Sequence, residues 1–271
     1  MNYLQFEFEI ENAVENEILI ALLTNAGFES FEEENKMLKA FTREKDFKED
    51  ALSEILKIVP VKFRRTLIPP QNWNAEWESS FEPVIVNDFA AVRAAFHSPV
   101  KNVQHEIIIT PKMSFGTGHH ATTYLMIGQM AELDLAGKTV LDFGTGTAVL
   151  AILAEKMGTA DIDAIDNDDW SIENSDENIR TNDCYHIKLH KADTISINKT
   201  YDIILANINL NVILANLAAI VKVSKAGTLA LLSGFLKTDE ATLLEKLSVY
   251  DVSHVKTVQK GEWICILVRL N

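Results

Sequence analysis

Cysteine is nearly absent from these 271 residues: only Cys184 and Cys265 occur, far apart in the chain. Two such residues build neither a disulfide framework nor a metal knuckle, which needs pairs at short spacing. Their scarcity fits a reducing compartment, so the expected location is the cytoplasm. No stretch is apolar enough for long enough to span a membrane. The opening MNYLQFEFEI lacks the basic-then-apolar layout of a secretory leader. Positive charge is also in short supply. Lys and Arg number 25 against 39 Asp and Glu, a formal net charge of −14. Gripping a nucleic-acid backbone needs clustered Lys and Arg, so nucleic acid is disfavoured as the main partner. There is no low-complexity tract.

What is present is ordinary for a globular protein with a substantial core: 47% hydrophobic and 24% charged residues. The length allows one large domain, or one ordinary domain with a smaller one. Residues 1–68 read as the smaller. Leu4, Phe6, Phe8 and Ile10 alternate with polar residues, as in a half-buried strand. Ile18, Leu19, Leu22 and Leu23 follow at helical spacing, with Gly27 as the stop. Two short strands flank Asn35. A second helix carries Leu52, Ile55, Leu56 and Val59 on one face, and VKFRRTLIP closes as a strand. The order is β-α-β-β-α-β, a ferredoxin-like arrangement. The acidic run Glu29 to Glu34 reads as a charged edge strand rather than a docking surface.

Residues 69–83 form a linker. After Pro69-Pro70, the residues Trp73, Trp77 and Phe81 stand at i, i+4 and i+8, one face of a short helix ended by Pro83. Such a stripe packs more often than it binds a ligand. Residues 84–271 then alternate strand and helix, which means a mostly parallel sheet with helices on both faces. The end, DVSHVKTVQKGEWICILVRL, reads as two strands turned at Lys260-Gly261, with one strand antiparallel. Ligands of such sheets bind beyond the carboxyl ends of the strands, where strand order reverses.

Phe-Gly-Thr-Gly occurs twice, in PKMSFGTGHHATT and in VLDFGTGTAVLAIL. Their flanks differ, so they are two loops and not a duplicated unit. The second copy joins a strand to a helix, the setting of a nucleotide site. Val149 stands where a dinucleotide fingerprint needs its third glycine, and no Gly-Lys-Ser/Thr follows for a P-loop. Asp142, two residues before Gly144, would repel a pyrophosphate and suits an ammonium or sulfonium. S-adenosylmethionine carries both and no phosphate. Asp166, about twenty residues past the glycines, ends the next strand, where a carboxylate accepts both hydroxyls of a ribose. Asn167, Asp168 and Asp169 read as the start of the following helix. Asn207 ends a later strand at the carboxyl edge. It is followed by Ile208-Asn209 and not by the Pro-Pro-Tyr that grips planar amino groups.

Together WNAEWESSFEP, PKMSFGTGHHATT, VLDFGTGTAVLAI, AIDND, ILANI, LSGF and GEWICI resemble the family of methyltransferases that modify ribosomal protein L11. The likeness runs along essentially the whole chain. It implies a class I Rossmann-like methyltransferase sheet behind a small ferredoxin-like domain. It implies transfer of methyl groups from S-adenosylmethionine to lysine ε-amines and the N-terminal α-amine of that protein. The family's cofactor contacts fall on Thr123, Gly144, Asp166 and Asn207. The small domain would recognise the protein substrate and the linker would let it swing. Lys112, His119, Ala121 and Ala148 depart from the family's usual Gly, Thr, Pro and Gly. Ala at 148 is tolerable if its φ is negative.

The chemistry asks little of the protein beyond desolvation and alignment, so no indispensable general base and no catalytic residue is assigned. His119 and His120 lack a third metal ligand, so no metal is expected. His120 is either a loop anchor or a base. Nothing demands more than a monomer, or a membrane. The alternatives are a methyltransferase of another protein or small amine, and a non-catalytic S-adenosylmethionine-binding regulator. An RNA-binding module is disfavoured, because the small domain is acidic and lacks the Gly-aromatic strand signature.

Overall fold

The computed structural model describes residues 2–10, 12–34, 37–68, 82–111 and 120–271. The chain divides into two compact units, Met1–Ser80 and Phe81–Asn271. The Trp73, Trp77, Phe81 stripe lies outside the described residues. So does the first glycine loop, with Lys112, Phe115, Gly116, Gly118 and His119.

The first unit runs β1 (Tyr3–Glu9), α1 (Ala13–Asn25), β2 (Ser30–Glu34), β3 (Met37–Arg43), α2 (Glu49–Ile58) and β4 (Phe63–Ile68). The sheet order is β2-β3-β1-β4, antiparallel throughout. Alternation along β1 sends Leu4, Phe6 and Phe8 to one face, opposite Thr42, Ala40 and Leu38 of β3. Leu19 and Leu23 of α1 and Leu52 and Ile55 of α2 close over that face. The Phe6 ring lies 5.4 Å from Phe28, 5.0 Å from Phe47 and 5.8 Å from Phe63, a cluster that adds shape specificity to apolar burial. Asn12 caps α1 by accepting from the Glu15 amide, and Gly27 (φ +93°) ends it. Ile18 departs from expectation: it is 45% exposed, because α1 buries the Leu19–Leu23 pair and Ile18 lies a third of a turn away. Glu32, Glu33 and Glu34 of the acidic run lie on β2, an edge strand, where charge discourages pairing with other chains.

The second unit begins with β5 (Val84–Val86), β6 (Ala90–Ala94) and β7 (His105–Ile109), a separate three-stranded sheet. Strand β6 was not anticipated from sequence. Its segment AAVRA has three alanines, poor strand formers, and tertiary burial makes it a strand. Its Arg93 is buried and paired with Glu106 at 2.8 Å.

Then follow α3 (Ala121–Met130), β8 (Thr139–Phe143), α4 (Val149–Lys156), β9 (Asp161–Asp166), α5 (Asp169–Thr181), β10 (Ile187–Lys191) and β11 (Tyr201–Asn207). Last come α6 (Leu210–Lys222), β12 (Ser224–Leu236), α7 (Glu240–Leu247), β13 (Val252–Lys260) and β14 (Trp263–Leu270). The main sheet has the order β10-β9-β8-β11-β12-β14-β13. The pairings from β10 to β12 are parallel, and β14 is antiparallel to both neighbours. The last strand in sequence, not the one before it, takes the inner position. WICILVRL is nearly continuously buried, whereas VSHVKTVQK is polar and tolerates the edge. Each central strand is covered on both faces. Val140, Ile162 and Leu205 meet α3 and α4, while Leu141, Ile165 and Ile204 meet the side of α6 and α7. Strand order reverses between β8 and β11, which is where such sheets open a crevice at their carboxyl ends.

Candidate active site

The second glycine loop is the turn from β8 into α4. Gly144 (φ +77°) and Gly146 (φ +58°) take backbone angles that L side chains rarely adopt. The amides of Gly144 and Thr145 both donate to the Ile165 carbonyl at 2.9 Å, which ties the turn to β9. One residue on, the two oxygens of Asp166 are held separately. Oδ2 accepts from the Gly146 amide at 2.9 Å and Oδ1 from the Asp168 amide at 3.1 Å. The carboxylate is therefore fixed in direction, with lone pairs left for a ligand. Asp168 caps α5, accepting from the Ser171 amide, as expected of a helix start.

Ala148 corrects one expectation. Its φ is +62°, not negative, so the alanine at the third motif position is in the left-handed region. That conformation costs a non-glycine residue about 1–2 kcal/mol. The clamp that holds the turn comes from α5, whose inner face is polar. Ser175 Oγ donates to the Gly146 carbonyl at 2.6 Å and Asn178 Nδ2 to the Thr147 carbonyl at 3.0 Å. Asn178 Oδ1 also accepts from the Thr110 amide at 2.8 Å, so one side chain joins this turn to the segment just before the first glycine loop. The sequence pattern reads WSIENSDENIRTN as a helix without assigning its inner face. The available signal was small polar residues at 171, 174, 175 and 178, a helical stripe of hydrogen-bonding groups and not of apolar ones.

The facing wall starts at Asn207, the last residue of β11. Ile208 donates its amide to the Ser233 carbonyl at 3.0 Å, and Asn209 caps α6 by accepting from the Val212 amide. A third side is made by His120 and Trp263. His120 precedes α3, its Nδ1 lies 2.8 Å from Thr122 Oγ1, and its ring stands edge-on to Trp263 at 4.4 Å. These are the contacts of an anchor.

Between these walls lies a cavity of about 410 Å³, lined by His120, Thr122, Gly144, Gly146, Asp166, Ser171, Asn207, Ile208, Asn209, Gly234 and Trp263. Three of the four expected contacts, Gly144, Asp166 and Asn207, line it. Thr123 does not. It is fully buried, and its hydroxyl accepts from Asn207 Nδ2 at 3.2 Å. Asp142 is also set back from the cavity wall, 1% exposed at the end of β8, with Thr145 Oγ1 donating to it at 2.6 Å. Burial pushes its pKa up to about 7, against the hydrogen bond from Thr145.

The residues fit S-adenosylmethionine. One buried oxygen of the cavity lining, Asn207 Oδ1, has no hydrogen-bond partner among the described residues, which suits a ligand rich in N–H and positive charge. Asp166 offers a fixed carboxylate to a diol, and no Walker-type lysine is present for a phosphate. Strand order, glycine turn and acidic β9 end define a class I, S-adenosylmethionine-dependent methyltransferase.

The family model described as "Ribosomal protein L11 methyltransferase (PrmA)" matches residues 7–271. A ribosomal protein L11 methyltransferase of Chlorobaculum parvum is 40% identical, the alignment covering 98% of this chain and 96% of that protein. One from Phocaeicola vulgatus is 36% identical over 98% of each chain. The crystal structure of a ribosomal protein L11 methylase from Lactobacillus delbrueckii subsp. bulgaricus superposes with a TM-score of 0.66 at 25% identity. It covers 70% of this chain and 100% of that one. The chain belongs to the ribosomal protein L11 methyltransferase family.

Proposed function

We propose that the enzyme transfers methyl groups from S-adenosylmethionine to lysine ε-amines and the N-terminal α-amine of ribosomal protein L11. The observation that carries this reading is the extent of the likeness. It runs through the small first unit, which cofactor binding does not require, as well as through the catalytic unit. Sharing that small first unit argues for a shared protein substrate, with residues 1–68 recognising it and residues 69–83 linking the small unit to the catalytic unit. We assign the ribose diol to Asp166, the close backbone approach to Gly144, and the amino-acid end of the cofactor to Asn207 with Thr123 behind it. The enzyme is expected to act as a monomer in the cytoplasm, without contacting nucleic acid. No helix among the described residues is long and apolar enough to cross a membrane.

Bound in this cavity, S-adenosylmethionine supplies an already activated methyl electrophile. The protein's task is then to present a neutral amine in line. A lysine of pKa about 10.4 is under about one part in a thousand neutral at pH 7. The cavity walls, with Ile208 and Trp263, desolvate the incoming ammonium and favour loss of its proton. Asn207 and the fixed Asp166 orient the reactants, and alignment supplies most of the acceleration.

The test is incubation with labelled S-adenosylmethionine and total ribosomal proteins, followed by mass spectrometry of the labelled amines. Label on amines of L11, abolished by Asp166→Ala, is the expected result. Label on a different protein would redirect the substrate assignment. No label despite intact cofactor binding would favour a regulator.

A further inference from the structure

Thr123 sits in the first turn of α3 and Asn207 at the end of β11, 84 residues apart in sequence. Thr123 Oγ1 accepts a 3.2 Å hydrogen bond from Asn207 Nδ2, and Thr123 itself is fully buried. A primary amide is chemically two-sided: its nitrogen donates and its oxygen accepts. Holding the nitrogen therefore decides what the oxygen can do. Asn207 Oδ1 is buried, has no partner among the described residues, and belongs to a residue that lines the cavity. A buried acceptor left unpaired is unfavourable, so this one awaits an N–H donor.

We infer that Thr123 is a positioning residue that turns the Asn207 amide so that Oδ1 receives an N–H from a ligand amine. Thr123 acts through Asn207 rather than on the ligand itself. The inference rests on the methyltransferase reading, which supplies two amines for the cavity: the α-ammonium of the cofactor and the amine to be methylated. The reversed amide would aim a donor at a cationic amine and leave that amine without its acceptor.

The experiment is a double-mutant cycle on the full chain. Thr123→Val keeps the side-chain shape and removes the hydroxyl; Thr123→Ser keeps the hydroxyl. Asn207→Ala, Asn207→Asp and the Thr123→Val/Asn207→Ala pair complete the set, with a melting curve for each. Calorimetry gives Kd for S-adenosylmethionine and S-adenosylhomocysteine, which both carry the α-ammonium. Steady-state assays with the protein substrate give kcat and KM.

Thr123→Val is expected to lose roughly tenfold or more, Thr123→Ser to restore most of it, and the pair to be no worse than Asn207→Ala alone. A loss in both Kd values identifies the cofactor ammonium as the donor. A loss in kcat with unchanged Kd identifies the acceptor amine. Asn207→Asp, which keeps an oxygen toward the cavity, should bind better than Asn207→Ala. Additive losses in the pair, or Thr123→Val at the unsubstituted level throughout, overturn the inference. Equal loss in Asn207→Asp and Asn207→Ala overturns the amide orientation. Failure of the unsubstituted enzyme to transfer methyl groups is a different result, and would sink the functional reading instead.

Discussion

Gly234 passes directly over the backbone of Ile208: a Cβ at position 234 would stand 2.3 Å from the Ile208 carbonyl oxygen and 2.7 Å from its nitrogen. The position also has φ +100°, and the pairing of β12 with β14 shifts register between Ser233 and Phe235. This bulge presses the end of β12 against the residue after Asn207, and so forms one wall of the cavity. The obstacle is backbone, which cannot swing aside. Gly234→Ala should therefore cost about 3 kcal/mol or more and weaken cofactor binding, read by urea unfolding and calorimetry. Adding Ile208→Ala should not restore it, since the clash is not with the side chain.

Gly144 meets the same residue differently. A Cβ there would stand 2.8 Å from Ile208 Cδ1, the far end of a flexible side chain, at φ +77°. Gly144→Ala should cost about 1–3 kcal/mol, part steric and part conformational. Ile208→Ala in the same chain should recover most of the steric part in thermal melts, leaving only the Ile208 Cβ contact at 3.2 Å. An Ile208→Ala change that gives no recovery would show that backbone strain alone sets the cost.

The buried Asp142 makes stability depend on pH in an unusual direction. Its carboxyl is pushed up to about 7 in the folded protein, chiefly by burial, from an ordinary value of 3.8. Below pH 4 both folded and unfolded states hold the proton. Between pH 4 and 7 the unfolded chain releases it while the folded chain keeps it, so this group's contribution falls as pH rises, then stays constant. Asp142→Asn should be more stable than the native protein at pH 8 by on the order of 2 kcal/mol, with the difference vanishing near pH 4. Paired melting curves across that range check it. The same change removes a negative charge next to the site, so it should weaken binding of the cationic cofactor.

Both cysteines should be inert in the native protein. Burial pushes the Cys184 thiol up to about 11 and the Cys265 thiol up to about 12. Cys265 Sγ contacts Met126 Sδ at 3.5 Å inside the core. A thiol reagent at pH 8 is expected to label neither residue in native buffer and both in guanidinium. Rapid labelling of the native protein would show that the core around α3 and β14 opens locally.

Much of this protein follows from local pattern. Alternation at Leu4, Phe6 and Phe8, the helical spacing of α2, and the strand–glycine–helix order around Gly144 depend on neighbours in sequence, so they are legible without a structure. So is the placement of Asp166 and Asn207 at strand ends, because a strand's last residue is set by its own length. The polar inner face of α5 was not legible. Ser175 and Asn178 are buried because carbonyls of the glycine turn need donors, and that turn is 29 and 31 residues away. Strand β6 formed against its own propensity because burial between β5 and β7 outweighed it. The sequence by itself determined most of the elements, strand β6 excepted, the order of chemistry along the chain and the family. Only the tertiary structure decided that Ala148 is left-handed, that Asp142 is withdrawn from the cavity wall, and that Thr123 reaches Asn207. Each of those depends on what distant segments place beside the residue, and hydrogen-bond direction and burial are properties of that neighbourhood and not of the residue type.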